Sequence, residues 1–316
     1  MISENLFVKI LLEPANNCDQ LNIISGYASP AMANKHLSEL GDVSVNLIVG
    51  MTPSDGLGLG GHVGFQNLNK ATSNFNCRYV FEPHKPVHIK SYIWLKDGVP
   101  QYAFTGSGNY SQNAFFGGTI ESFAVDNPLD CNNLFNDIYL KTISCLDSGV
   151  EDKINFYKEI YNRKHIEPKL EEISAVEEPL VKVSNNCVDL SLLNSRTGET
   201  HAQSGLNWGQ RKGREPNQAY IPIPSVIAQS SFFPNRANHF TLITDDGKSF
   251  DCAVAQDGDK AIHTTKSNSI LGRYFRQRIG VSLGDYVKTE HLLNYGRTNI
   301  KICKIDDETY YMDFSV

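Results

Sequence analysis

Apolar runs recur through the first half of the chain with helix-like stretches between them, and that rhythm sets the expected fold. VSVNLIVGM (43–51) is a near-continuous apolar run of strand length, and IISGYAS (23–29) has the same strand-like texture. Residues 30–40 and 132–146 carry helical periodicity, and a further helix is expected over 151–164. Strands alternating with helices predict an α/β layer fold. Beyond residue 180 the texture changes to short alternating pieces, AYIPIP (219–224), HFTLITDDGKSFDCAVAQ (239–256) and TNIKICKIDDETYYMDF (298–314). Turn signals such as DDGK and QDGDK separate them, and helical periodicity returns only around 269–278. This second half predicts an all-β barrel or pseudobarrel. The joint is HIEPKLEEISAVEEPL (165–180), acidic and holding two prolines. A boundary near residue 175 divides the chain into domains 1–175 and 176–316.

At 316 residues the chain is long enough for two domains that each bury a core. The opening MISENLFVKILLEP has a short apolar run broken by Lys9 and no basic leader, and no later run approaches the roughly twenty residues of a membrane span. The seven cysteines (18, 77, 131, 145, 187, 252, 303) are scattered without a C-x-x-C pair, so neither a disulfide framework nor a zinc site is expected. A reducing cytoplasm fits these features best. The net charge of −6 argues against a nucleic-acid partner until its distribution is considered. Residues 1–180 carry 13 Lys and Arg against 21 Asp and Glu, whereas 195–304 carry 15 against 9. The second half therefore holds a basic surface that the total conceals.

Candidate chemistry sits in residues 87–116. H-x-K (His88, Lys90) precedes G-S-x-N (Gly106, Ser107, Asn109), with Glu121 just beyond. A histidine titrating near neutrality can attack phosphorus or protonate a leaving alcohol, while Lys, Ser and Asn donate hydrogen bonds to phosphoryl oxygens as charge grows. Glu121 would orient the imidazole through its other nitrogen. His-x-Lys alone is an alternating strand and G-S-G-N alone a loop. Together, separated by the strand-like VPQYAF and followed by a helix start at Ser111, they support catalysis. The glycine run GLGLGG (56–61) lacks the lysine of a phosphate loop and is expected to be flexible, so nucleotide hydrolysis by this chain is not expected. His62 and His84 lack ligand-spaced partners and are expected to be ordinary loop histidines. No metal site is predicted.

H-x-K with a downstream G-S-x-N resembles the phospholipase D superfamily, over residues 23 to 121. The fullest form of that motif has an Asp five residues after the Lys, where this chain has Leu95. Asp97, directly before Gly98, reads as turn chemistry instead. The nuclease branch of the superfamily tolerates the loss.

Two polar, basic segments stand out in the second half. GLNWGQRKGREPNQAY (205–220) offers Trp208, Gln210, Arg211, Lys212, Arg214 and Asn217, and HTTKSNSILGRYFRQRIG (263–280) offers Lys266, Asn268, Arg273 and Arg276. Such side chains bind phosphates or base edges, with an aromatic ring for stacking. The bland alternative makes Arg273, Arg276 and Arg278 a solvated helix face and Trp208 a core residue. These segments, with FFP, TDDGKSF and the terminal KIDDETYYMDFS, resemble the C-terminal part of NgoFVII-type restriction endonucleases. The resemblance implies a B-three-like DNA-recognition pseudobarrel that grips double-stranded DNA between two arms. It also implies a homodimer through the nuclease domain, cleavage through phosphohistidine without a cofactor, an associated DNA methyltransferase, and ATP and magnesium dependence only through a separately encoded ATPase or helicase-like subunit. The alternatives are a phospholipase D-type lipid phosphodiesterase, disfavoured by the lack of a membrane-binding stretch, and a non-catalytic DNA-binding protein.

Overall fold

The computed structural model describes residues 1–161, 181–184 and 186–316. The chain divides into two compact units, one built on Met1–Lys158 and the other on Lys182–Val316. The boundary expected near residue 175 lies outside the described residues.

In the first unit, β1 (Gln20–Ser25), β2 (Ser44–Val49), β3 (Phe75–Val80), β4 (Ser91–Lys96), β5 (Val99–Gly106), β6 (Phe123–Val125) and β7 (Thr142–Ser144) form one sheet. Their order is β6-β5-β4-β1-β2-β3-β7, with β1, β2 and β3 parallel and the flanking strands antiparallel to their neighbours. Both faces are covered. Leu21, Ile23, Leu47 and Trp94 pack in one cluster with Met32 of α1 (Pro30–Leu40) and Phe65 of α2 (Leu59–Ala71). Ile24, Ile48 and Ile93 pack in another with Phe135 and Ile138 of α3 (Pro128–Tyr139). Adjacent residues thus serve opposite faces, which is why these strands read as continuous apolar runs. Full burial of Ile23 and Ile24 contributes about 1.5–3 kcal/mol each. Asp97 and Gly98 form the two-residue β4–β5 turn, both with positive φ (50° and 77°), and Leu95 is a core residue opposite Pro100.

Several expectations of secondary structure and cysteine chemistry are corrected. The helix expected over 151–164 covers only Val150–Lys153, after which Phe156–Tyr161 is a strand whose Phe156 pairs with Leu57. Aromatic and β-branched residues there favour extended backbone over the helix suggested by the charges. The helix expected over 132–146 starts earlier, because Asn127 Oδ1 accepts from Leu129 N and Asp130 N at 2.9 and 3.2 Å and Pro128 occupies the first turn. It stops at Tyr139 because Thr142–Ser144 joins the sheet edge. The glycine run is no flexible loop: α2 begins at Leu59, and Gly60 and Gly64 lie on its buried face. His62, expected in a loop, is buried within the helix with Nδ1 3.0 Å from Tyr79 Oη, whereas His84 is in a turn and meets Phe81 edge-on. Finally, Cys187 and Cys303 are joined by a disulfide. They are directly opposed on paired strands 116 positions apart, a register that cysteine spacing does not reveal. Cys18, Cys77, Cys131, Cys145 and Cys252 are buried free thiols.

The second unit contains β8 (Cys187–Ser191), β9 (Ile221–Pro222), β10 (His239–Thr244), β11 (Ser249–Ala255), β12 (Ala261–Thr264), β13 (Asn299–Lys304) and β14 (Thr309–Asp313). Their order is β8-β13-β14-β10-β11-β12-β9, and the two edge strands approach each other, so the sheet nearly closes. Phe240, Leu242, Val254, Ile262, Ile302 and Met312 fill the interior with Leu271 and Phe275 of α4 (Ser269–Arg278). A shorter helix, α5 (Thr289–Tyr295), follows. Among the described residues no helix is long and apolar enough to cross a membrane.

Candidate active site and DNA-contacting arms

The ends of three neighbouring strands bring the H-x-K and G-S-x-N motifs together. His88 and Lys90 lie just before β4, whose Ser91 pairs with Ile24 at the end of β1, and Gly106 closes β5 directly before Ser107. Lys90 is nearly buried, and its Nζ lies 2.9 Å from His88 Nε2, 3.2 Å from His88 Nδ1 and 3.0 Å from the His88 carbonyl. Burial holds the Lys90 amine below its ordinary value, and the Glu121 carboxylate opposes that shift. Such an ammonium, drawn toward both the imidazole and a carboxylate, is placed to bind a phosphoryl oxygen beside the histidine.

Glu121 engages Ser107 rather than His88. Ser107 Oγ donates to Glu121 Oε2 and accepts from Ser122 N at 3.1 Å, and Thr119 Oγ1 donates to Glu121 Oε1 at 2.8 Å. Within one chain the carboxylate therefore fixes the serine and faces Lys90. Gly106 permits this fold of the loop, since a Cβ there would lie 2.1 Å from the Ser122 carbonyl.

Asn109 is held from the far side. Its Oδ1 accepts from Tyr27 N at 3.2 Å, so the amide's N–H donors are what it has left to offer a substrate. Gly26, at the exit of β1, separates the two motifs: a Cβ there would come 3.0 Å from His88 Cδ2 and 3.4 Å from Asn109 Oδ1. The Tyr27 ring meets the His88 ring edge-on with centroids 6.1 Å apart, and Tyr27 Oη donates to Asp55 Oδ2. Sequence reading missed Gly26, Tyr27 and Asp55. The available signal was topological, because the residues that leave parallel strands at their carboxyl ends line the crevice in α/β sheets. Among the described residues no group of three or more His, Cys, Asp or Glu side chains is arranged to hold a metal ion.

In the second unit the two basic segments lie side by side. Ala219 N donates to the Asn268 carbonyl at 3.1 Å, and Glu215 accepts from Ser269 Oγ and lies 3.5 Å from Arg273. Arg211, Lys212, Arg214, Lys266 and Arg273 are exposed. Trp208 is half-buried, edge-on to Tyr220, with the Arg214 guanidinium 3.8 Å above its ring and Arg214 Nη1 donating to Gln218 Oε1 at 3.0 Å. Arg211 Nε donates to the Gln203 carbonyl at 2.7 Å. Asn268 is half-buried at the start of α4.

Two residues expected to touch DNA belong to the interior instead. Arg276 is 0% exposed, and it donates to the carbonyls of Asp285, Gly272, Leu206 and Pro216 at 2.9, 3.3, 3.3 and 3.3 Å. Asn217 is buried, accepting from Gly284 N at 2.7 Å and donating to Glu215 at 2.8 Å. Both stitch the arms to the 284–285 loop. Gln210 is half-buried and its amide is similarly engaged, donating to the Pro216 and Gly284 carbonyls. Arg278 pairs with Asp245 at 2.7 Å and is no solvated decoration.

Comparison with known proteins covers almost the whole chain. Residues 4–164 match the NgoFVII restriction endonuclease N-terminal phospholipase D domain, and residues 181–306 match the NgoFVII C-terminal B3-like DNA-binding domain. Among solved structures, NucT from Helicobacter pylori and the phospholipase D family member Nuc from Salmonella typhimurium each share 16% identity with a TM-score of 0.30. Each covers 43% of this chain, which in turn spans 87% and 88% of theirs. No curated protein matches.

Proposed function

Since the chain belongs to the NgoFVII restriction endonuclease family, a phospholipase D-type nuclease domain joined to a B3-like DNA-binding domain, we propose that it cuts DNA through a covalent phosphohistidine on His88, without a catalytic metal. The observation that carries this reading is the approach of Lys90 Nζ to 2.9 Å from His88 Nε2, with Asn109 and Ser107 at the neighbouring strand ends. A ring nitrogen of His88 attacks phosphorus as the bond to the leaving oxygen breaks. Lys90 and Asn109 donate to the phosphoryl oxygens, where negative charge grows. A second, protonated histidine gives its proton to the leaving oxygen, then takes one from water as the water oxygen attacks phosphorus and the P–N bond breaks.

The chain has a single H-x-K paired with G-S-x-N. The second histidine is therefore His88 of the partner subunit, in a homodimer formed by nuclease domains across a two-fold axis. Exposed Arg211, Lys212, Arg214, Lys266 and Arg273, with Trp208 and Asn268, form the DNA-contacting face of the second unit. A methyltransferase protects the host site, and any nucleotide dependence enters through a separate ATPase.

The test is trapping. Acid-sensitive, alkali-stable attachment of a DNA phosphate to His88, located by peptide mass, is expected during turnover, with cutting sustained in excess EDTA. Cutting by this chain alone that stops in EDTA and returns with magnesium would overturn the metal-free route. Full activity in a monomer, shown by light scattering at assay concentration, would overturn the shared site.

A further inference from the structure

We propose that Tyr27 and Asp55 form a latch that positions the nuclease site, with Tyr27 as the residue that sets Asn109 and His88 relative to one another. The inference rests on the reading of His88 and Asn109 as reacting-site residues, and it assigns a role to two side chains outside the H-x-K and G-S-x-N motifs.

Tyr27 touches both motifs with different parts. Its backbone N–H donates to Asn109 Oδ1 at 3.2 Å, which fixes the amide so that its N–H donors point away from Tyr27. Its ring stands edge-on to His88, at 79° and 6.1 Å between centroids, and limits how far the imidazole can swing toward the exit of β1. The backbone under Tyr27 is itself tied down. Ser25 Oγ donates to the Tyr27 carbonyl at 2.5 Å and accepts from Tyr110 N at 2.9 Å, while Ser29 N donates to the Tyr110 carbonyl at 3.1 Å. The segment carrying Tyr27 is thus sewn to the segment carrying Asn109.

The ring would otherwise be loose, because Tyr27 is 45% exposed. Asp55 supplies the missing restraint. It lies at the end of the short helix Thr52–Asp55 that follows β2, accepts from Tyr27 Oη, and accepts from Ser54 Oγ at 2.7 Å. The Tyr27 hydroxyl, first, and the Ser54 hydroxyl hold the Asp55 carboxyl below its ordinary range, against a small opposing effect of burial and with help from the nearby His88 charge. The same bond pushes the Tyr27 phenol up to about 12. At neutral pH the pair is therefore a neutral phenol donating to a full carboxylate, the stronger form of this bond. Gly26 keeps the fit close, since any side chain there would press on His88 and Asn109 together.

Displacing a reacting group by about 1 Å can cost about 10²-fold in rate. Tyr27→Ala should therefore lower the single-turnover cutting rate about 10- to 100-fold at saturating DNA, a condition that removes the change in affinity from altering charge near a polyanion. DNA affinity, carried by the second unit, should stay within about twofold. Tyr27→Phe and Asp55→Ala should each give a smaller, similar loss. Their combination should be no worse than either alone, because both cut the same bond. Wild-type rates in Tyr27→Ala, or losses in Tyr27→Phe and Asp55→Ala that multiply, would overturn the latch. Unchanged melting temperature in Tyr27→Phe separates positioning from a folding defect. His88→Ala in the same assay guards the premise: if it still cuts, the site assignment has failed, whereas a dead His88→Ala beside a fully active Tyr27→Ala sinks the latch alone.

Discussion

The two units use polar side chains in opposite ways. At the nuclease site the motif residues stay at the sheet ends, where Ser107 and His88 are exposed and Lys90 reaches out from a nearly buried position. In the recognition unit an equally polar stretch divides: Arg273 faces solvent, while Arg276, one turn later, is enclosed by four carbonyls. A motif fixes both residue type and spacing, so its members arrive together. Net charge fixes neither, and a guanidinium serves backbone carbonyls as readily as phosphates.

The largest effect should come from the nuclease side. His88→Ala removes the proposed nucleophile and should reduce cutting roughly 10⁴-fold or more, with DNA affinity unchanged in a filter-binding assay. If the proposed shared site is right, mixed dimers of wild-type and His88→Ala chains hold one histidine where two are needed, so added mutant chain should inhibit wild-type cutting. Proportionate dilution without inhibition would break the contrast between a shared catalytic site and a recognition unit complete in each chain.

Next comes Arg276. Replacing it by Met leaves the carbonyls of Asp285, Gly272, Leu206 and Pro216 without their donor, which should cost roughly 3–5 kcal/mol of stability in urea unfolding of the recognition unit. DNA binding should fall only as far as the folded fraction falls. Normal stability with lost binding would return Arg276 to the DNA-contacting set.

The legibility of the sequence follows the same division. Apolar runs buried on both faces, the Asp97-Gly98 hairpin and the two motifs are local patterns, and local patterns survive into three dimensions. Gly60 and Gly64 defeat that logic because glycine marks a loop in sequence but can equally leave room on the buried face of a helix. The Cys187–Cys303 register depends on pairing over 116 positions, and Tyr27 meets Asp55 only because β1 and β2 run in parallel and end together. Arg276 left no such trace: Gly272, one turn earlier on α4, is required by the Asn217 carbonyl, which would lie 1.7 Å from a Cβ there, and it meets Arg276 only through its own backbone carbonyl.

Acid should separate the units by a smaller margin. His36 on α1 is wholly buried, with Nδ1 2.8 Å from Tyr110 Oη and Nε2 3.0 Å from the Leu11 carbonyl, and burial lowers its imidazole to about 4. The unfolded chain takes up a proton near the ordinary 6.5, and the folded chain resists until about 4. Stability of the nuclease unit is therefore full above about 6.5 and declines as pH falls toward 4, by on the order of 3 kcal/mol from this histidine. Calorimetry of His36→Gln should show a flatter decline than wild type across that window. Identical pH slopes would assign the acid sensitivity elsewhere.

The smallest effects should lie on the arms, and they decide which exposed cations read sequence. Arg214 is pre-set: its plane rests on Trp208 and Gln218 holds one nitrogen, which restricts the guanidinium before DNA arrives and suits a bidentate contact to a guanine edge. Lys266 sits exposed in the turn after β12 and suits a phosphate, which a point charge binds without regard to sequence. Arg214→Ala should cost about 1–3 kcal/mol on the cognate site and relax preference at one base pair, and Arg214→Lys should recover affinity without recovering that preference. Lys266→Ala should weaken cognate and random DNA equally and lower the salt slope by about one. Binding to a randomised site library at two salt concentrations measures both, and a uniform loss with a reduced salt slope in Arg214→Ala would show that its stacked guanidinium meets the backbone instead of a base.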